Sequence, residues 1–403
     1  MTKRIRRGAT AAVAVLFAAA AGCTGPQPPP AGERGPRPAG SPAARGAGGE
    51  ETGGPGAFTL LASGDVLPHS SVIERAAADA GGRGHDFAPM LEGVAPVVSR
   101  ADLALCHMET VYGPAGGPFS GYPSFTSPPE IATALRSTGF DSCSTASNHS
   151  LDDGTEGIRR TLDALDRAGV RHAGSARTAA EAARPVLLNA GPGKRAATVA
   201  HLAYTYGTNG IPSPAGRPWA VNVTDGRRIV ADARAARRAG ADVVVLSVHW
   251  GTEWQDEPDG EQLALAERLT ASASAGRPDL DLIIGTHAHV PQAYEKVNGT
   301  WVVYGMGDQI AGEMINYEGE RDPRGNQGSM ARFTFAPPGK PGQRWTVEKA
   351  EFIPQWYDPE AGRVIDLNAA IGDGNNGLRE VRDRIRTVVL GRGAGRDGLV
   401  MGK

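Results

Sequence analysis

The chain has 403 residues, long for one ordinary domain but within reach of an elaborated α/β enzyme. Its formal net charge is −2, from 42 basic and 44 acidic residues. No part of the body is densely basic, which excludes the electrostatic footprint of a nucleic-acid binder and leaves any polyanion binding to local contacts.

In chain order, residues 1–23 set Lys3, Arg4, Arg6 and Arg7 before a short apolar run that closes on Ala20-Ala21-Gly22-Cys23. A basic start, an apolar middle and a small-residue end read as a signal peptide. The run is too short to span a bilayer comfortably. Its end resembles the bacterial lipobox, which makes Cys23 the lipidation site of an exported protein anchored on the extracytoplasmic face of the cell membrane. Residues 24–56 are mostly Pro, Gly, Ala, Ser and charge, a disordered tether with little to bury. Of three cysteines, only Cys106 and Cys143 follow Cys23, too few for a disulfide framework. They read as buried thiols, with pairing in an oxidising exterior as the alternative.

From Ala57 onward, short apolar runs alternate with amphipathic stretches, the pattern of an α/β domain over residues 57–393 with a flexible tail at 394–403. Strand-like runs occupy 58–65, 101–110, 140–149, 196–204, 241–251, 281–289 and 300–308. The spacing predicts helices over 129–139, 155–169, 226–240 and 261–276, each stopping at or near Gly. Two further strand-like runs, 331–339 and 344–357, precede a closing helix over 375–391.

Most of these runs deliver a polar residue at the carboxyl end, where open α/β sheets bind their ligands. Gly285-Thr286-His287-Ala288-His289 ends one run, and side chains two apart on an extended backbone share a face. His249 ends the most apolar run, Asp65 closes another, Glu109 a third, and Asn148-His149 follows a fourth. Singly, each has an ordinary alternative: a core histidine, a helix cap, a turn asparagine, a solvated charge. Their shared position argues for one site. Asp65, Glu109, Asn148, His249, His287 and His289 form an oxygen and nitrogen donor set suited to divalent Mn, Fe, Zn or Mg, with no thiolate to force zinc. His149 remains free for proton transfer.

The ordered series Gly64-Asp65, His107-Met108-Glu109-Thr110, Asn148-His149 with Asp152-Asp153-Gly154, His249-Trp250-Gly251-Thr252-Glu253-Trp254, Gly285 to His289, and Tyr304-Gly305-Met306-Gly307-Asp308 resembles the CapA family of poly-γ-glutamate capsule synthesis proteins. The resemblance implies a calcineurin-like metallophosphoesterase fold, a central β-sandwich flanked by helices (α/β/β/α). It further implies two metals, one on Asp65, Glu109 and His289, the other on Asn148, His249 and His287, with Glu109 bridging. His149 would be the acid beside the leaving group. Leu67 stands where the phosphoesterase Asp-x-His motif has histidine, Glu109 where it has aspartate, and His107 where it has asparagine. His69 and His107 are therefore candidate additional ligands.

Around these, Asp152 and Asp308 are placed to orient imidazoles through their free N–H groups. Tyr204, Tyr206, Asn209, Trp250 and Glu253 are the expected substrate-pocket residues, with Gly121 to Phe125 and Trp254 as apolar walls. The resemblance implies a metal-dependent hydrolase-like envelope protein that takes an anionic polymer or peptide. It serves poly-γ-glutamate synthesis or export beside membrane-bound synthase subunits. Two other classes fit the same residues, a non-catalytic polymer-binding lipoprotein and a metal-dependent peptide epimerase or peptidase.

Overall fold

The computed structural model describes residues 56–191, 196–340 and 342–403. The signal peptide, Cys23 and nearly all of the tether lie outside the described residues. In chain order the strands are β1 (Phe58–Val66), β2 (Leu103–Met108), β3 (Ser142–Ser144), β4 (Arg171–Ala173), β5 (Val186–Ala190) and β6 (Ala197–Thr205). There follow β7 (Val243–His249), β8 (Ala273–Ser274), β9 (Arg277–Pro278), β10 (Leu282–Thr286), β11 (Tyr294–Val297) and β12 (Thr300–Val303). The last are β13 (Asp308–Ile310), β14 (Gln327–Ala336), β15 (Thr346–Asp358), β16 (Arg363–Asp366) and β17 (Leu399–Met401).

They build two large sheets. The first runs β16-β15-β14-β1-β2-β3-β4, with β13 added to β1 and β17 to β15; the second runs β11-β12-β10-β7-β6-β5. In the first, β1, β2, β3 and β4 are mutually parallel; in the second, β6, β7, β10 and β12 are. Period-two alternation sorts their side chains into layers. Leu60 and Ala62 of β1 join Val243 and Val245 of β7 in a core between the sheets. Leu61 faces outward against helices carrying Val72, Ile131, Leu135 and Leu165, while Val244 and Leu246 meet Ile229, Ala233 and Leu269 on the far side. The result is the α/β/β/α sandwich expected from the resemblance.

Helices form at Ile131–Thr138, Gly154–Ala168, Gly226–Arg238 and Arg379–Val389, near their predicted positions. The helix expected over 261–276 stops at Thr270, because Ser272 and Ser274 turn their hydroxyls onto Asp279 and the chain folds into the β8/β9 hairpin. The 394–403 segment is not a flexible tail: Leu399–Met401 pairs in parallel with Ala350–Phe352, and Leu399 is buried. Cys106 and Cys143, directly opposite on β2 and β3, are joined as a disulfide rather than left as thiols. Among the described residues no helix is long and apolar enough to cross a membrane.

The run read as one strand over 300–308 is divided. β12 belongs to the second sheet, and the chain then crosses at Gly305 to Gly307 so that β13 pairs with β1 in the first, Asp308 opposite Asp65. The crossing depends on glycine: a Cβ on Gly64 would lie 1.7 Å from the Gly307 carbonyl oxygen. Gly307 itself has φ +68°, a conformation other residues rarely adopt.

A candidate metal centre where the two sheets meet

The carboxyl ends of β1, β2 and β7 and the turns after β3 and β10 converge on one buried cluster. Asp65, Glu109 and His289 bring ligand atoms within 4.8 Å of one another, and so do Glu109, His249 and His287. Glu109 belongs to both groups. Asn148 joins through its Oδ1, 2.9 Å from His249 Nε2. All six residues expected from the sequence are therefore brought together.

Two of the three imidazoles are oriented from behind. Thr286 Oγ1 lies 3.0 Å from His249 Nδ1, and Asp308 Oδ1 lies 2.9 Å from His289 Nδ1, which leaves each Nε2 for the cluster. The His287 backbone N–H donates to Asp65 Oδ2 at 3.1 Å. The His287 and His289 pair does not work as an extended strand end would. β10 stops at Thr286, and both histidines adopt left-handed backbone conformations, φ 93° and 57°. Such conformations cost free energy outside glycine and are held by their surroundings, commonly at functional sites.

The cluster is short of positive charge. Both Glu109 oxygens, Asp65 Oδ1 and Asp308 Oδ2 are buried without any hydrogen-bond partner. Burial, and then the Asp308 carboxylate, pushes Asp65 up to about 8; burial likewise raises Glu109 well above the carboxylate range. Burial, then neighbouring histidines, holds His249 and His287 well below the usual histidine value, so both are neutral. Burial also opposes charge on His289, but Asp308 and Glu109 outweigh it and raise that group. Unpaired buried carboxylates beside neutral imidazoles are the donor set a divalent cation completes, and oxygen and nitrogen ligands suit Mn, Fe, Zn or Mg.

The two extra ligand candidates separate. His107 Nε2 has no partner and lies 3.5 Å from Asp65 Oδ1, with Nδ1 tied to Ser144 Oγ at 2.7 Å, so it joins Asp65 and His249 in a third group. His69 belongs to none of these groups; its ring meets Phe125 edge-on at 5.2 Å. His149 sits beside the cluster with Nδ1 2.7 Å from Asp152 Oδ2, and the Ser147 hydroxyl links the His149 N–H to the Glu109 carbonyl. Phe125 packs edge-on against the His149 ring at 4.7 Å.

The pocket residues divide as well. The Tyr206 ring lies 4.6 Å from His287, and Glu253 Oε1 lies 4.0 Å from His287 Nε2. Asn209 stands on the exposed loop beyond Tyr206 with φ 49°. Tyr204 and Trp250 are not pocket residues. Tyr204 continues the outward row of Ala200 and Leu202, donating its hydroxyl to Asp232, while Trp250 follows Val248 outward and donates Nε1 to the Tyr304 carbonyl at 2.9 Å. Tyr204, with Arg177 and Trp219, instead lines a cavity of about 850 Å³ that shares no residue with the cluster. Thr286, which orients His249, carries no signal in the sequence: it sits just before His287, where a hydroxyl suggests only a strand residue.

Fold and site together define an α/β/β/α protein able to hold divalent metal at the ends of its strands. The family model described as bacterial capsule synthesis protein PGA_cap matches residues 59–313, and the chain belongs to that family. Among curated proteins it is similar to "Capsule biosynthesis protein CapA" of Bacillus anthracis, 28% identical over 182 residues, 45% of this chain and 42% of the relative. It is also similar to a "Probable polyglutamine synthesis accessory protein" of Mycobacterium tuberculosis, 29% identical over 229 residues, 54% of this chain and 57% of the relative. The chain thus spans about half the length of the curated relatives it matches. A solved calcineurin-like phosphoesterase, YfkN of Bacillus subtilis, aligns with 81% of this chain and 99% of its own at 14% identity and TM-score 0.44. That likeness is loose, and the architecture stands on the layers described above.

Proposed function

We propose that this chain is an exported, lipid-anchored envelope protein with a metal-dependent hydrolase-like centre, working in the synthesis or export of a poly-γ-glutamate-type polymer beside membrane-bound synthase subunits. The observation that carries the chemical part is Glu109, a fully buried carboxylate with both oxygens unpartnered, set between two histidine groups. The polymer part is supported by the family and by what its curated relatives are named for.

In this reading Asp65, Glu109 and His289 hold one divalent ion, and Asn148, His249 and His287 the other, with Glu109 shared and His107 able to supplement the first. Bound divalent ions supply Lewis acidity and an acidified water at neutral pH. The protein's own part is orientation and proton transfer. Asp308 and Thr286 fix the His289 and His249 rings from behind, and Asp152 engages His149 at Nδ1, which leaves Nε2 as the nitrogen from which a proton passes to the departing oxygen or nitrogen.

The test is metal analysis of the purified full-length chain after reconstitution with Mn, Fe and Zn, followed by a panel of phosphoesters and γ-glutamyl peptides. Metal bound at two per chain, with turnover of a panel member that chelation abolishes, is the expected result. A chain that takes up no metal under any of the three conditions sinks the proposal.

A further inference from the structure

In the second sheet β5 begins at Val186, opposite His201, whereas β6 runs on to Thr205. Leu202, Ala203 and Tyr204 therefore pass beyond the end of their neighbour on that edge and leave a notch. The short helix Ala179–Ala182 and the turn after β4 form its other wall, and Asn222 spans part of it, its Nδ2 donating to the Ala203 carbonyl at 3.2 Å. This notch is the cavity of about 850 Å³ lined by Tyr204 and Trp219, large enough for a drug-sized ligand and far more than one inorganic anion fills. It contains none of the residues of the strand-end cluster.

The charges of the notch do not balance. Each lining carboxylate is engaged from within: Asp166 and Glu181 both hold Arg177, and Asp232 accepts the Tyr204 hydroxyl with Arg228 Nε 3.7 Å away. Arg228 also donates to Asn222 Oδ1 at 2.7 Å. The two other lining arginines, Arg171 and Arg184, are exposed and have no acidic partner among the described residues. Arg217, exposed and likewise without one, stands on the loop that carries Trp219. In a chain of net charge −2 this is a local excess of positive charge. Val186, Leu202 and Trp219 add apolar surface to the same walls. The complementary ligand brings carboxylates, which guanidinium groups bind in a two-pronged fashion, and methylene groups for the apolar walls.

We propose that the notch is a holding site for a short anionic oligomer, a chain of carboxylates spaced by methylene groups, seated apart from the metal centre. Arg171 and Arg184 take its carboxylates, and Trp219 packs on its methylenes. The site deepens the polymer reading above and rests on it for the identity of the chain, but it needs no metal. Tyr204 lines the notch, and two residues on the Tyr206 ring lies 4.6 Å from His287, so an oligomer held here is one strand end away from the cluster.

The experiment measures, by calorimetry at low salt on the full-length chelator-treated chain, the binding of γ-linked pentaglutamate and of the same pentamer with its free carboxylates converted to carboxamides. About one pentaglutamate per chain is expected to bind, about tenfold or more tightly than the carboxamide form. Arg171→Glu with Arg184→Glu is expected to weaken it about tenfold or more, while the same change of charge at exposed positions outside the notch, Arg83→Glu with Arg379→Glu, stays within about twofold of the parent. His287→Ala leaves the affinity unchanged. Binding of neither pentamer, equal binding of both, or an equal loss in the two charge-reversed pairs overturns the site. Loss of binding in His287→Ala places the oligomer at the cluster and overturns it also, as does displacement by inorganic phosphate at the concentration of the pentamer itself, which makes the notch a small-anion site. A parent chain that takes up metal but binds no pentamer loses the notch and keeps the metal centre; one that binds the pentamer but takes up no metal does the reverse.

Discussion

His249 Nε2 and Asn148 Oδ1 lie 2.9 Å apart although 101 residues separate them. His249 ends β7 in the second sheet, and Asn148 lies on the turn after β3 in the first, so their meeting closes the seam between the sheets at its carboxyl end. A cation held there ties the sheets together. His249→Ala and His287→Ala are each expected to lower metal content by about one ion per chain. Each also shrinks the rise in melting temperature that metal gives the parent protein, which at a hundredfold excess over Kd corresponds to about 2.7 kcal/mol. Elemental analysis and thermal unfolding check this; unchanged stoichiometry in both variants would remove the two histidines from the ligand set.

In the metal-free protein the same charges fix how stability depends on pH. Asp65, pushed up to about 8 by burial and Asp308, and Glu109, also raised by burial, keep protons in the folded state that the unfolded chain has released. Stability from a raised group is lost as pH climbs toward its folded pKa. His289 is raised too and acts in the same direction. His249, His287 and His107 are lowered, so their cost to the folded state disappears as pH passes the ordinary histidine value of 6.5. Above about pH 7 only the raised groups remain in play. The melting temperature of chelator-treated protein is therefore expected to fall from pH 7 to 9, and saturating Mn or Zn to flatten the fall. A melting temperature that climbs over this interval would contradict the assignment.

The sandwich and most of the site can be read from the sequence because apolar runs ending in Asp65, Glu109 and His249 are strong signals for buried strands with polar tips. Strand parity separates Tyr204 and Trp250 from the pocket: each continues the outward-facing row of its strand, whereas Tyr206 lies past the strand end and turns onto the cluster. Less accessible to any local pattern is the crossing at Gly305 to Gly307, which sends Asp308 into the other sheet opposite Asp65. That pairing is set by tertiary packing. The left-handed backbone at His287 and His289 is hidden for the same reason, since neither residue type advertises it.

Cys106 and Cys143 face each other on β2 and β3, and their disulfide ties the strand that carries Glu109 to the one that leads to Asn148. Purified protein is expected to contain no free thiol at these positions under denaturing conditions, as alkylation and mass spectrometry would show. Replacing both by alanine is expected to destabilise the protein by about 2–4 kcal/mol, because the bond closes a chain segment of intermediate length. Quantitative alkylation of both cysteines without prior reductant would show the bridge to be absent.

His149 is held from two directions. Its Nδ1 lies 2.7 Å from Asp152 Oδ2, and that same oxygen accepts the Phe125 N–H at 2.7 Å, so the loop bearing Phe125 and the ring it packs against are fixed by one carboxylate. With Nδ1 engaged, Nε2 is the nitrogen left to carry a proton. His149→Ala is expected to keep full metal content and to lower turnover by about 10²–10⁴-fold on whichever panel substrate the parent cleaves. The loss should shrink for leaving groups acidic enough to depart without a proton. Asp152→Asn keeps a polar group beside Nδ1 but removes its charge, so a smaller loss with a displaced pH–rate profile is expected. Metal analysis separates this role from coordination: if His149→Ala loses an ion as well as activity, the ring is a ligand and not the acid. An unchanged rate with full metal content would leave proton transfer to solvent.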